Sequence, residues 1–195
     1  MGTKGGSLML LATVCLGCAA EAQVPDREGQ IASAVQAAPE DRREGAAVVG
    51  FDADGVSVTL REGTNDLVCL SDYPLDEAWS VACYHESLDP HMARGRELRE
   101  AGEAEGSLQR RWEEIEAGTL EFPEKPTALY ILHGEGWDAE TGTVTSPYLR
   151  WVIYTPYATP ESTGLQTSPS EGGPWLMFSG EVGAHIMITP PQPGG

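Results

Sequence analysis

The tightest constraint on this chain is a pair of cysteines, Cys69 and Cys83, each set in a short run that reads as a strand. The runs are Asp66-Leu-Val-Cys69-Leu70 and Trp79-Ser-Val-Ala-Cys83-Tyr84-His85. Folded as a hairpin around Asp76, they place the two cysteines opposite each other. Directly opposed antiparallel residues lie about 4.5–5.5 Å apart, a separation that a disulfide tolerates. Closing a loop of this size stabilises a fold by about 3 kcal/mol on the chain-entropy model.

A disulfide needs an oxidising compartment, and the amino terminus reads as a route to one. Lys4 precedes the apolar run Leu8-Met9-Leu10-Leu11-Ala12-Thr13-Val14-Cys15-Leu16, and Ala20-Glu21-Ala22 offers small residues for a signal peptidase. Residues 1–22 are therefore expected to be a signal peptide, with Gln23 as the new amino terminus. A rival reading exists at Leu16-Gly17-Cys18, which resembles the end of a bacterial lipobox and would leave a lipid anchor at Cys18. Either cleavage leaves Cys69 and Cys83 to pair with each other. The expected locations are periplasmic, extracellular or envelope-tethered. An apolar run this short cannot cross a bilayer core, which needs about 20 residues, and no integral span is expected elsewhere.

The formal charge is −18, and removing Lys4 and Glu21 with the signal leaves it unchanged. A surface this acidic repels nucleic acid and anionic lipid, so neither is expected as a partner. Residues 23–189 suffice for one domain with a proper core, and Pro190–Gly195 reads as a flexible tail.

Periodicity predicts a helix over Asp26–Ala38, with Ile31, Ala34, Val35 and Ala38 on one face and Pro39 as its stop. Strands Ala46–Phe51 and Val56–Arg61 follow about Asp54-Gly55, a hairpin signal. The two cysteine-bearing strands are apolar on both faces, as central strands are. Asp89-Pro90 starts a helix that breaks near Gly102 to Gly106. A second helix runs from Ser107 to Ala117, with Leu108, Trp112 and Ile115 inward and Gly118 as its stop. Thr127–His133, Tyr148–Tyr154, Trp175–Phe178 and Ala184–Thr189 are β-branched and aromatic and read as strands. The expected class is α+β: a largely antiparallel sheet, able to curl toward a barrel, with an amino-terminal helix and a central helix pair.

No HExxH, GxSxG, phosphate loop or four-cysteine site is present. Gly134-Glu-Gly136-Trp-Asp-Ala139 matches a loose dinucleotide pattern, but the following Thr- and Gly-containing stretch favours a hairpin over the helix that such a site needs. Asp52-Ala-Asp54-Gly55 begins like a calcium loop, yet Val56 and Gly63 stand where ligands are required, so it reads as a turn.

Four histidines remain as chemistry. His85 and His133 end strands and His185 begins one, positions where sites are built on rigid scaffolds. With Glu86 they are the candidate catalytic residues of a small hydrolase. No metal is expected; a ligand set, if one formed, would draw on His85, His91 and Asp89. A second constellation is aromatic: Trp137, Tyr148, Tyr157 and Trp175 are the candidate ligand-binding residues, and a sheet core formed by Trp151 and Trp175 is the bland alternative. The polar stretch Arg61-Glu-Gly-Thr-Asn-Asp66 is a turn first and a possible polar lining second.

The segments Thr59–Leu70 and Val81–Leu98, read as Thr59-Leu-Arg-Glu-Gly-Thr-Asn-Asp-Leu-Val-Cys-Leu70 and Val81-Ala-Cys-Tyr-His-Glu-Ser-Leu-Asp-Pro-His-Met-Ala-Arg-Gly-Arg-Glu-Leu98, resemble a group of uncharacterised exported bacterial proteins. No activity is attached to that group, so the resemblance implies none here. The expectation is a secreted or envelope-tethered binding or accessory domain without a cofactor. The hydrolase is the alternative, and a flavin-binding split barrel is a third reading by fold analogy alone.

Overall fold

The computed structural model describes residues 1–2, 24–170 and 172–190. The signal sequence, the Cys18 alternative and the tail beyond Pro190 lie outside the described residues.

Helix α1 (Arg27–Ala34) begins at Asp26, whose carboxylate accepts the Gly29 N–H at 2.8 Å. It tightens into a 3-10 turn over Val35–Ala37 before Pro39. Strands β1 (Ala47–Phe51) and β2 (Ser57–Arg61) form the first hairpin, and β3 (Leu67–Leu70) and β4 (Trp79–His85) the second. Helices α2 (Asp89–Glu100) and α3 (Ser107–Glu116) follow. The chain then builds β5 (Thr127–Gly134), a small hairpin of β6 (Gly136–Asp138) and β7 (Thr143–Thr145), and β8 (Tyr148–Tyr154). The short helix α4 (Pro160–Thr163) interrupts the long polar loop before β9 (Trp175–Met177) and β10 (His185–Ile188).

Eight strands make one sheet in the order β2-β1-β3-β4-β5-β8-β10-β9, and every pairing except β1 with β3 is antiparallel. The α+β class therefore stands. Among the described residues the sheet ends in two edges, β2 and β9, and does not close. The sheet is therefore open rather than a closed barrel. The Gly134–Ala139 pattern becomes the β6–β7 hairpin, with Trp137 opposite Val144.

Both faces of the sheet are covered, by different helices, because successive residues of a strand point to opposite sides. On one face Cys69, Cys83, Val81 and Leu132 pack against Ala34, Val35, Ala37 and Ala38 of the amino-terminal helical segment. On the other, Tyr84, Leu129, Val152 and Met187 pack with Leu88 and Met92 of the central helical region. Cys69 lies directly across from Cys83 and the two form a disulfide, both fully buried.

Helix α1 is anchored by a polar bond network as well as by packing. Gln30 is buried, and its amide both donates to the Phe51 carbonyl and accepts from the Phe51 N–H, each at 2.9 Å. It thereby supplies β1 with ladder bonds that no strand provides there. A third bond comes from the Ser71 hydroxyl at 2.9 Å.

On the edge strand β2, Val56 and Val58 are exposed and of their row only Leu60 is buried, where α1 reaches it. One expectation about an inward face needs correction. On α3, Trp112 is buried but Leu108 is exposed, so the helix meets the core through one large side chain rather than a full stripe. Trp112 stacks edge-on to Phe178, their ring centres 4.9 Å apart, and its indole lies against the backbone of Gly183. A methyl group at Gly183 would fall inside the van der Waals envelope of that rigid ring. Gly183→Ala is accordingly expected to lose about 1–3 kcal/mol by overpacking, read as a lower midpoint in urea denaturation; an unchanged midpoint would show that the indole has room to retreat.

Candidate functional site

The four histidines do not share a site. His91 is 1% exposed, with Nε2 3.0 Å from Arg111 Nη1, and burial together with the Arg111 charge pushes its pKa down to about 3. His185 is also buried; its Nδ1 lies 2.8 Å from the Gly183 carbonyl, and burial lowers its pKa. Both rings pack around Tyr154, with centroid distances of 6.2 and 5.1 Å, in the apolar layer beneath the helices. Neither faces a solvent-filled space with His85 or Glu86. Asp89 bonds to the Tyr84 hydroxyl at 2.8 Å and pairs with Arg96. Among the described residues no group of three His, Cys, Asp or Glu side chains could hold a metal ion, so His85, His91 and Asp89 do not form a ligand set.

Two open regions carry what the chemistry needs. The first is a cleft of about 640 Å³ at the carboxyl end of β4, lined by Arg42, Asp66, His85, Ser87 and Lys125 among others. Register brings its acid and its histidine together, because Leu67 pairs with His85 across the disulfide hairpin. His85 Nε2 stands 3.7 Å from Asp66 Oδ2, and Arg42 pairs with the other Asp66 oxygen. His85 Nδ1 accepts the Ser87 N–H at 3.1 Å and lies 2.9 Å from the Ser87 hydroxyl. Asp66 thus acts as a polar lining. Glu86 lines an adjoining opening with Pro90 and Glu121 and is absent from the lining of the main cleft.

The second region is a groove of about 440 Å³ over the far end of β8. Tyr148, Arg150, Val152 and Tyr154 share a face of that strand by alternation. Val152 and Tyr154 belong to the apolar layer, whereas Tyr148 and Arg150 line the groove with Trp175, Met177, Met187 and Thr189. The loop residues Pro169, Ser170 and Gly172 border it. Two of the four aromatic candidates, Tyr148 and Trp175, therefore line the same groove. Trp137 sits in the β6–β7 hairpin. Tyr157 borders a different pocket beside Ile115 and Leu120, and its hydroxyl donates to Glu116 at 3.0 Å. Trp151 is 41% exposed and fills no core.

Arg150 is the feature of the groove that sequence reading missed. Its guanidinium sits 5.4 Å from the centre of the Tyr148 ring, and Nη2 donates a long bond of 3.4 Å to the Tyr148 hydroxyl. The hydroxyl in turn donates to Thr189 at 3.2 Å. Among the described residues, the buried Arg150 Nε has no hydrogen-bond partner and Arg150 makes no ion pair. Its cross-strand neighbour is Ile131. In a chain with 30 acidic residues, a partly buried cation left this way stands out. Desolvating a charge without a counter-charge is costly. The Arg150 bond holds the Tyr148 hydroxyl below its ordinary range. His133, whose ring centre is 6.2 Å from that of Tyr148, has a lowered pKa through burial and then through the Arg150 charge. Both shifts carry the imprint of the Arg150 charge.

No protein-family model matches the chain, and no curated protein or solved structure matches it. Among the described residues no helix is long and apolar enough to cross a membrane.

Proposed function

We infer that this chain is an exported ligand-binding domain whose groove captures a small carboxylate or phosphate joined to a flat or apolar body. The export reading rests on the apolar run Leu8–Leu16 with Ala20-Glu21-Ala22 and accords with a buried disulfide. The binding reading rests on one observation above the rest: the buried Nε of Arg150, which has no partner among the described residues, at an open groove. A guanidinium presents a planar fork that matches a carboxylate or phosphate in two parallel bonds. Tyr148 and Trp175 provide ring surfaces beside it, and Met177 and Met187 supply adaptable apolar contact.

Isothermal titration with benzoate and the neutral benzamide tests the reading. Benzoate is expected to bind at least about tenfold more tightly, the increment of one charge-assisted bond. Arg150→Gln is expected to erase the difference. Glu171 lies in sequence between Ser170 and Gly172, which border the groove; Glu171→Gln is expected to bind benzoate at least as well as the parent. Equal affinities for benzoate and benzamide, or benzoate binding that survives Arg150→Gln, would refute the assignment.

A further inference from the structure

The cleft at His85 lies apart from the Arg150 groove and holds a different arrangement of reactive groups. We propose that Ser87, His85 and Asp66 act as nucleophile, general base and orienting carboxylate in the hydrolysis of small carboxylic esters. This inference does not depend on the groove reading.

The hydrogen bonds assign the protons. Because the Ser87 N–H donates to His85 Nδ1, that nitrogen carries a lone pair and the ring proton resides on Nε2. The Ser87 hydroxyl, 2.9 Å from Nδ1, then donates to the same lone pair. On the far side of the ring, Nε2–H points toward Asp66 Oδ2 at 3.7 Å. That length is too long for a hydrogen bond from the neutral ring, and such contacts tighten when the imidazolium forms. Arg42 fixes the Asp66 carboxylate from its other oxygen. A nucleophile within reach of a base that a third group orients is the general signature of covalent catalysis. Capping of the 3-10 turn over Glu86–Leu88 explains the Ser87 N–H bond, but it requires neither the hydroxyl contact nor the acid behind the ring.

In the first step Ser87 Oγ attacks the ester carbonyl carbon and its proton passes to His85 Nδ1. The C–O bond to the leaving group then breaks, and the alkoxide takes that proton and departs as the alcohol. Water attacks the acyl-serine, giving its proton to Nδ1. Breakdown of the second adduct releases the carboxylic acid and restores the serine. No electrons are exchanged with any other reagent. Lys125 lines the same cleft and supplies positive potential for the carbonyl oxygen as it becomes anionic. Leu67, Pro126 and Tyr130 offer apolar wall for a short acyl chain.

The full chain is tested with p-nitrophenyl acetate and with a fluorophosphonate probe. Release of p-nitrophenolate is expected to fall about 100-fold or more in Ser87→Ala, in line with loss of a positioned nucleophile and base. The probe is expected to add to the peptide carrying Ser87, found by mass spectrometry. Ser87→Ala keeps the backbone N–H that bonds to His85, so its melting curve should match the parent's. Asp66→Asn is expected to lower kcat about tenfold with KM unchanged, the behaviour of a positioning residue. Parent-like hydrolysis in Ser87→Ala would overturn the proposal, as would the absence of an adduct on Ser87.

Discussion

Replacing Cys69 and Cys83 together with alanine is expected to lower the stability of this domain by about 3–5 kcal/mol. Two contributions add. The bridge spans 14 residues, and on the chain-entropy model the open chain gains about 3 kcal/mol of freedom when it is cut. Both side chains are also completely buried in the layer beneath Ala34 and Val35, so truncating them leaves space that the core refills only in part, at about 1 kcal/mol or more. Urea denaturation of the parent, of the double variant and of the parent with reductant separates the terms. Reductant should reproduce most of the loss, because thiols still fill the space. If reductant leaves the parent's midpoint unchanged, the entropic account fails. The consequence reaches function: the same hairpin sets Asp66 beside His85, so loosening it should also disturb the cleft.

The second large effect is expected in acid, where buried His91 and half-buried Asp72 pull stability in opposite directions. His91, normally near 6.5, is pushed down to about 3 by burial and by Arg111. Between those values the unfolded chain binds the extra proton, so stability falls as pH drops from about 6.5 to about 3. Asp72 behaves in reverse: burial raises its pKa from 3.8 to about 6, against the Ser80 N–H bond that favours its charge. There the native state holds the extra proton, so stability rises as pH drops from about 6 to 3.8. At about 1.4 kcal/mol per pH unit, the His91 loss is on the order of 5 kcal/mol. The Asp72 gain, reduced by its partial exposure, is about 2 kcal/mol. Buried His185 and half-buried His133 have the same sign as His91 and add to the loss.

Asp72→Asn tests this directly. Its amide oxygen can still accept the Ser80 N–H while the buried charge is gone. The variant is expected to exceed the parent by about 2 kcal/mol at pH 7 and to match it below pH 4. Its fall from neutral pH to pH 3 should be the steeper, because nothing offsets His91. A stability difference that stays constant from pH 7 to pH 3 would rule out a titrating Asp72 as the cause.

How much of this was legible in the residues depends on how local each feature is. Helix α1 was readable because its apolar spacing, its Asp26 cap and its Pro39 stop are contiguous. The Asp54-Gly55 turn and the Gly134–Ala139 hairpin were readable for the same reason. Leu108 misled because helical spacing marks which residues share a face, not how much of that face a neighbour covers. At the cleft, His85 stood out as a strand-end histidine, but Ser87 did not, since a serine two residues on reads as part of a turn. Its hydroxyl gained meaning only when Asp66 arrived behind the ring.

The pairing of Cys69 with Cys83 followed from the sequence by itself, as did the α+β class and the run of elements along the chain. Register across a short hairpin follows from the turn and the alternation alone. The tertiary structure alone decided that His85, His91, His133 and His185 disperse and that Arg150 stands unpaired among the described residues. It also decided that Tyr148 and Trp175 line the same groove. The groove turns on β10 inserting between β8 and β9, a non-local arrangement driven by burial of whole faces. Alternation marks the two faces of a strand, but it says nothing about which strand will lie alongside.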